Sequence, residues 1–129
     1  MSGRYLLDTN VAIRVLNREV DLESRRDRGL EAFLCVTVVG ELLFGAAKSA
    51  SPDDNRSRIE RLLDVCPLIP HDLDTAKRYG ALKAAQRSKG RPIPENDIWV
   101  AASALQHGLI LAARDRHFEY VAGLDVEVW

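Results

Sequence analysis

Short apolar runs alternate with helix-like patterns along this 129-residue sequence, and that alternation most restricts its fold. The runs are rich in leucine, isoleucine and valine, which indicates strands buried within a sheet. We predict strands over residues 4–7, 33–37, 65–69 and 109–112, and an edge strand over residues 126–129. Strands that alternate with helices join through right-handed crossovers into a parallel sheet with helices on both faces. The sequence therefore predicts an α/β fold.

Helix-like spacing of apolar residues fills the intervals between these strands. It predicts helices over residues 10–16, 41–47, 56–63, 72–88 and 96–106, with a helical turn over residues 118–121. Residues 18–28 carry dense charge of both signs, which indicates a solvent-facing helix or a pair of helices. The polar stretch 49–55 indicates a loop. The length fits a single domain over residues 1–129.

Nothing in the sequence indicates a membrane or an export route. No apolar run approaches the roughly 18 residues of a membrane span, and no signal-peptide pattern opens the sequence. Cys35 and Cys66 each lie in an apolar run, which favours buried free thiols over a disulfide. We therefore expect a cytoplasmic protein that contacts no membrane.

Four carboxylates occupy similar places in the pattern of predicted elements. Asp8 and Asp115 follow predicted strands. Glu41 follows the apolar residues 34–39, and Asp97 lies in the first turn of a predicted helix. Ligands of open parallel sheets bind beyond the carboxyl ends of the strands. Four acids brought to that one edge predict a metal site.

Carboxylates crowded into one pocket need protons or cations between them. Two of them about 5 Å apart, at an effective dielectric constant near 20, repel by roughly 3 kcal/mol. Mg²⁺ prefers oxygen ligands, and Mn²⁺ suits the same set. One or two such ions lower the pKa of a water and stabilise a departing oxyanion in phosphodiester cleavage. The acids therefore point to metal-dependent hydrolysis.

Each acid also has a plainer explanation. Asp8 fits a helix N-cap, and Asp97 fits the positive end of a helix dipole. An arginine on either side of Asp115 offers an ion pair. Glu41 lies in so apolar a stretch that its burial without a partner would be costly. The conjunction of four acids is stronger than any one of them.

Three neighbouring polar residues have a less certain relation to the acids. Thr9 and Asn10 directly follow Asp8, and their side chains either support a metal site or cap the following helix. Among the three histidines, only His117 is close enough in sequence to approach the acids, since it lies two residues after Asp115. We predict a surface position for His117.

A cluster of bases suggests where a polyanion would lie. The net charge of −1 does not itself indicate nucleic acid, but residues 75–94 hold six bases and no acid. Such a run is typical either of a solvated helix face or of a cationic wall for a polyanion. Lys83 and Arg87 are four residues apart and therefore share a helix face. We predict that they contact the phosphates of an RNA substrate.

In this order, the acids and their neighbours resemble the PIN-domain family, and within it the VapC-type toxins of toxin–antitoxin pairs. The resembling segments are residues 6–10, 38–46, 96–102, 113–118, 123–124 and 126–129. Asp8, Glu41, Asp97 and Asp115 match the acidic positions of the family. The resemblance implies an α/β/α sandwich with a central parallel sheet of four to five strands. It also implies a Mg²⁺- or Mn²⁺-dependent endoribonuclease, homodimeric and neutralised by a VapB-type antitoxin whose tail covers the acidic pocket.

Other protein classes fit the sequence less well. A phosphoacceptor receiver domain needs an acidic pair after the first strand, and a haloacid-dehalogenase-like phosphatase needs an aspartate at position 10, where this chain has Asn10. A housekeeping RNA-processing PIN nuclease and a catalytically silent PIN-fold binding protein stay open. Ala113 also departs from the family, which usually has a hydroxyl residue at the end of the fourth strand.

Overall fold

Five parallel strands form the central sheet of the structure, a computed structural model that describes residues 3–129. The strands are β1 (Gly3–Leu7), β2 (Leu30–Cys35), β3 (Leu68–Ile69), β4 (Ile110–Ala113) and β5 (Val126–Val128). They lie in the order β3-β2-β1-β4-β5, with β1 at the centre. The first two residues of the predicted domain lie outside the described residues. The predicted parallel sheet is confirmed.

Helices flank this sheet and complete the predicted α/β/α sandwich. They are α1 (Thr9–Leu16), α2 (Leu22–Asp27), α3 (Val36–Ala47), α4 (Pro52–Val65), α5 (Leu73–Ser88) and α6 (Glu95–His107). A short 3₁₀ helix, Arg116–Tyr120, follows β4. Leu6, Leu34 and Leu111 on the three central strands are fully buried, as in a sheet covered on both faces. Within residues 3–129, no helix has the length and apolarity that crossing a membrane requires.

Helix α3 begins five residues before its predicted start. Strand β2 ends at Cys35, and the β-branched stretch after it is helical, although such residues favour strands. Val38, Leu42 and Ala46 are buried one helical turn apart. The packing of this stripe against the core therefore outweighs the local strand preference. As a result, Glu41 lies in the second turn of a helix and not directly after a strand.

Helix α4 begins inside the predicted loop of residues 49–55. Pro52 occupies its first turn, where a missing N–H costs no hydrogen bond. Asp53 and Asp54 follow in the same turn, where their charges interact favourably with the helix dipole. The loop prediction is confirmed for residues 49–51 and was wrong for residues 52–55, where these polar residues begin a helix.

The strand order reverses beside β1, and that reversal positions the site. The chain runs from β1 to β2 and β3 on one side, then returns to β4 and β5 on the other. The backbone N–H of Asp8 donates to the carbonyl oxygen of Ala112 at 2.9 Å and holds the end of β1 against β4. A reversal of this kind leaves a crevice at the carboxyl edge of the sheet, where ligands bind.

Candidate metal centre

Asp8 lies at the base of this crevice, immediately after β1. Only 4% of the residue is exposed. It precedes the first turn of α1, but its side chain makes no capping hydrogen bond. Burial raises the pKa of its carboxyl to about 6, with further increases from the charges of Asp97, Glu41 and Asp115. The capping explanation of Asp8 therefore fails, and its charge lies among three other acids.

Asp97 lies in the first turn of α6, as predicted, and is half-buried. Burial is the main cause that raises the pKa of its carboxyl, and the charge of Asp115 adds to it. His117 opposes that rise, because its imidazole Nε2 is hydrogen-bonded to Asp97 Oδ2. His117 is therefore the one polar side chain among residues 3–129 that bonds to the Asp97 carboxylate.

The surface position predicted for His117 is only partly met. Its side chain is 29% exposed and bonds to Asp97. The neighbouring Phe118 is fully buried and anchors the 3₁₀ helix, so the ring of His117 lies against the edge of the pocket. The spacing of His117 two residues after Asp115 was the only sequence signal for this arrangement.

Asp115 completes a compact group with these two residues. One ligand atom from each of Asp97, Asp115 and His117 lies within 4.8 Å of the other two. The neighbouring Arg114 donates to the carbonyl oxygen of Trp129. Among the described residues, no arginine forms an ion pair with Asp115. The ion-pair explanation of this acid therefore fails.

Glu41 approaches the group from α3. Its carboxyl has a raised pKa, chiefly because of burial and also because of the charge of Asp97. The nearby hydroxyl of Thr9 lowers that pKa. This buried hydroxyl nevertheless has no well-aligned hydrogen-bond partner within residues 3–129. Thr9 is therefore a neighbour of Glu41 with an unsatisfied hydroxyl, whereas the side chain of Asn10 is exposed.

The four predicted acids thus gather at the carboxyl edge of the sheet. Asp97 and Asp115 belong to the compact group, whereas Asp8 and Glu41 interact with it through their charges. In the part of the chain that the structure describes, no lysine or arginine pairs with any of them. Hard oxygen donors without a balancing charge, beside an unsatisfied buried hydroxyl, fit a divalent cation such as Mg²⁺ or Mn²⁺.

Lys83 and Arg87 lie on α5 and line one depression together with Ile93 and Ile98. The ammonium of Lys83 is hydrogen-bonded to Glu95 and Tyr79, and these contacts raise the pKa of Lys83. Within residues 3–129, Arg87 forms no ion pair. Of the two bases predicted to contact phosphates, Lys83 is therefore already paired with an acid of the protein, whereas the charge of Arg87 is available to a substrate.

A mainly apolar groove lies beside Glu41. It is a cavity of about 220 Å³ between α1, α3 and α4. Its lining includes Ile13, Leu16, Leu42, Ala46 and Ile59. Two charged residues, Glu41 and Arg58, also line it. The groove therefore offers apolar contacts that adjoin the acidic pocket.

Comparison with known sequences gives matches over nearly the whole chain. The profile of the PIN domain matches residues 5–124. The chain is 37% identical over 130 residues to "Ribonuclease VapC2" of Haemophilus influenzae, with 98% of each chain covered. It is 30% identical over 129 residues to "tRNA(fMet)-specific endonuclease VapC" of Shigella flexneri, again with 98% of each covered.

Solved structures with the same fold include two that match nearly the whole chain. One is the DNA-bound VapBC of Salmonella typhimurium, with a TM-score of 0.88 and 25% identity over 100% of this chain and 99% of that one. The other is FitAcB of Neisseria gonorrhoeae, with a TM-score of 0.74 and 27% identity over 95% of each chain.

Proposed function

Because this chain belongs to the PIN-domain family, and within it to the VapC ribonucleases, we propose that it is the toxin of a toxin–antitoxin pair and a metal-dependent endoribonuclease. The observation that carries the proposal is the gathering of four acids without a balancing base. The names of its relatives support ribonuclease activity, and RNA is the expected substrate.

We assign Asp8, Glu41, Asp97 and Asp115 to the binding of one or two Mg²⁺ or Mn²⁺ ions. When bound, such an ion supplies positive charge at the scissile phosphate and lowers the pKa of water. Burial of Asp8 excludes solvent from the base of the pocket. The imidazole of His117 lies within hydrogen-bond distance of the Asp97 carboxylate and adds a further polar group to this set. These residues orient the reacting groups, and hydrolysis leaves a 5′-phosphate and a 3′-hydroxyl.

We assign the apolar groove beside Glu41 to a VapB-type antitoxin. An amphipathic helix fits a groove of this kind through apolar side chains spaced one turn apart. The adjoining acids favour a cationic side chain from the same partner. The solved VapBC complexes of related chains support such a pair, and a homodimer of the toxin is the expected assembly.

Sequencing of RNA ends after controlled expression tests this function. Wild type should produce new 5′-phosphate ends at defined sites, whereas Asp8→Asn should produce none. Asp64→Asn, an exposed acid on α4, is the matched control and should cut as wild type does. Equal cleavage by wild type and Asp8→Asn would contradict the assigned role of Asp8.

Co-purification from the native operon separates the toxin from a housekeeping nuclease. We expect a small partner to purify with the chain and to inhibit its cleavage of RNA. A monomeric protein that purifies alone and cuts RNA would instead favour an RNA-processing enzyme. A chain that binds a partner but never cuts RNA would favour a silent binding protein.

A further inference from the structure

His117 brings a nitrogen donor into a centre otherwise built from carboxylate oxygens. Its Nε2 contacts Asp97 Oδ2, and both residues lie in the compact group with Asp115. The ring is partly buried, and it approaches the acids from the 3₁₀ helix. The carboxylates alone form a ligand set that suits Mg²⁺. A preference for Mg²⁺ does not account for an imidazole nitrogen at the same centre.

The spacing of the three ligand atoms suits direct coordination. Neighbouring ligands of an octahedral ion with bonds of about 2.1 Å lie roughly 3 Å apart. The three atoms already lie within 4.8 Å of one another. Small side-chain rotations therefore bring all three into one coordination sphere. Fully buried Phe118 fixes the backbone beside His117, so its ring needs no movement of the main chain.

We propose that His117 is a direct metal ligand and that its nitrogen makes the centre select a first-row transition-metal ion over Mg²⁺. Imidazole binds ions such as Co²⁺, Ni²⁺ and Zn²⁺ well, whereas Mg²⁺ strongly prefers oxygen and keeps its waters. The inference rests on the proposed function, because the same acids form the rest of the ligand set. It concerns the choice of metal and adds a ligand to the four acids.

The alternative role for His117 is to orient Asp97 from outside the coordination sphere. Histidine and carboxylate partners of that kind are common around metal sites, and their loss weakens metal binding. An orienting residue affects Mg²⁺ and Co²⁺ alike, because it acts through a shared carboxylate. A direct nitrogen ligand changes the ratio of the two affinities. The ratio therefore distinguishes the two roles.

Calorimetric titration of the chelator-stripped full chain with MgCl₂ and with CoCl₂ measures that ratio without RNA. We expect wild type to bind Co²⁺ more tightly than Mg²⁺. His117→Ala should lower the Co²⁺ affinity by a factor at least about ten times larger than the factor by which it lowers the Mg²⁺ affinity, which is a change of one decade in metal selectivity. His117→Asp should shift the preference toward Mg²⁺ by restoring an oxygen ligand. His107→Ala is the control, because His107 lies ten residues from Asp97, about 15 Å along α6.

Nitrogen NMR of the histidine rings in wild type provides a readout that needs no variant. On addition of Zn²⁺, the Nε2 resonance of His117 should shift strongly, while those of His71 and His107 should not. An unshifted His117 ring would overturn the proposal, as would equal losses of Mg²⁺ and Co²⁺ affinity in a folded His117→Ala. Wild type that binds neither ion would overturn it too. The proposed ribonuclease is tested separately by cleavage in wild type and Asp8→Asn.

Discussion

Two acids in the first turn of α6 lie two residues apart and have opposite surroundings. Glu95 is exposed and accepts hydrogen bonds from Lys83 and Tyr79, and these contacts lower the pKa of its carboxyl. Asp97 is half-buried among other acids, and burial raises the pKa of its carboxyl. The same helix end therefore carries one acid whose charge is balanced and one whose charge is not.

The difference shows what the acidic edge lacks. At Glu95 the protein supplies its own cation, the ammonium of Lys83. At Asp97 the nearest polar partner is the imidazole of His117, and the acids around it add negative charge. A folded protein keeps such a cluster where an external cation balances it. The contrast between Glu95 and Asp97 is therefore a contrast between a surface ion pair and a binding site.

The largest effect should come from removing the unbalanced acid. Asp97→Asn should lower the rate of RNA cleavage by at least about 100-fold, because several kcal/mol of charge stabilisation depend on the bound ion. Glu95→Gln is the matched change on the same helix turn and should stay within roughly twofold at saturating RNA. Single-turnover cleavage of a defined RNA measures both. Similar cleavage rates for the two variants would contradict the claim that Asp97 belongs to a binding site and Glu95 only to a surface ion pair.

A smaller effect concerns the stability of the metal-free chain. The pKa of Asp8 rises from 3.8 to about 6 on folding, so the folded state holds its proton more tightly than the unfolded state. The resulting stabilisation is fully present below about pH 4 and is lost as the pH rises through about 6. A shift of this size corresponds to roughly 3 kcal/mol.

Asp8→Asn removes this titration. In EDTA at pH 7, Asp8→Asn should be more stable than wild type by roughly 3 kcal/mol, and the difference should shrink toward pH 4. Saturating Mn²⁺ should reverse the order, because only wild type keeps the full ligand set. Urea unfolding at several pH values measures both effects. If the difference in unfolding free energy between wild type and Asp8→Asn does not vary with pH, the buried charge of Asp8 does not destabilise the metal-free chain.

The smallest effect compares the two bases of α5. Arg87 forms no ion pair within residues 3–129, whereas Lys83 is already paired with Glu95. Arg87→Ala should therefore remove one phosphate contact. In a plot of the logarithm of the RNA association constant against the logarithm of the salt concentration, the slope should become shallower by roughly 0.7 for a single strand. Lys83→Ala should change the slope less. Both changes are made in the non-cleaving Asp8→Asn variant, and filter binding of RNA at several salt concentrations measures the slopes. A larger slope change for Lys83→Ala than for Arg87→Ala would contradict the assignment of Arg87 as the stronger phosphate contact.

The sequence predicted the sheet and the gathering of the acids from strand ends and a helix start. Asp8 and Asp115 follow buried apolar strands whose parallel pairing brings their carboxyl ends together. Asp97 lies in the turn that its preceding prolines predicted. These positions depend on local patterns and on the topology that such patterns impose.

Other features depend on packing between distant residues and were therefore missed. The start of α3 has β-branched residues that favour a strand. It is helical because Val38 and Leu42, one turn apart, pack against the core. His117 reaches Asp97 because Phe118 packs into the core, which no nearby residue indicates. Lys83 on α5 pairs with Glu95, which lies twelve residues later in the sequence, at the start of α6. In each case the outcome depends on a contact with residues that are distant in the sequence, and a local sequence pattern does not reveal such a contact.

RNA cleavage by the chelator-stripped chain, titrated with Mn²⁺, tests the central claim most directly. That claim is that distant acids gather to hold a cation on which hydrolysis depends. We predict no cleavage in EDTA, recovery as Mn²⁺ is added, and no recovery at the same concentrations in Asp97→Asn. Full cleavage in EDTA by a protein shown to be metal-free would contradict the account.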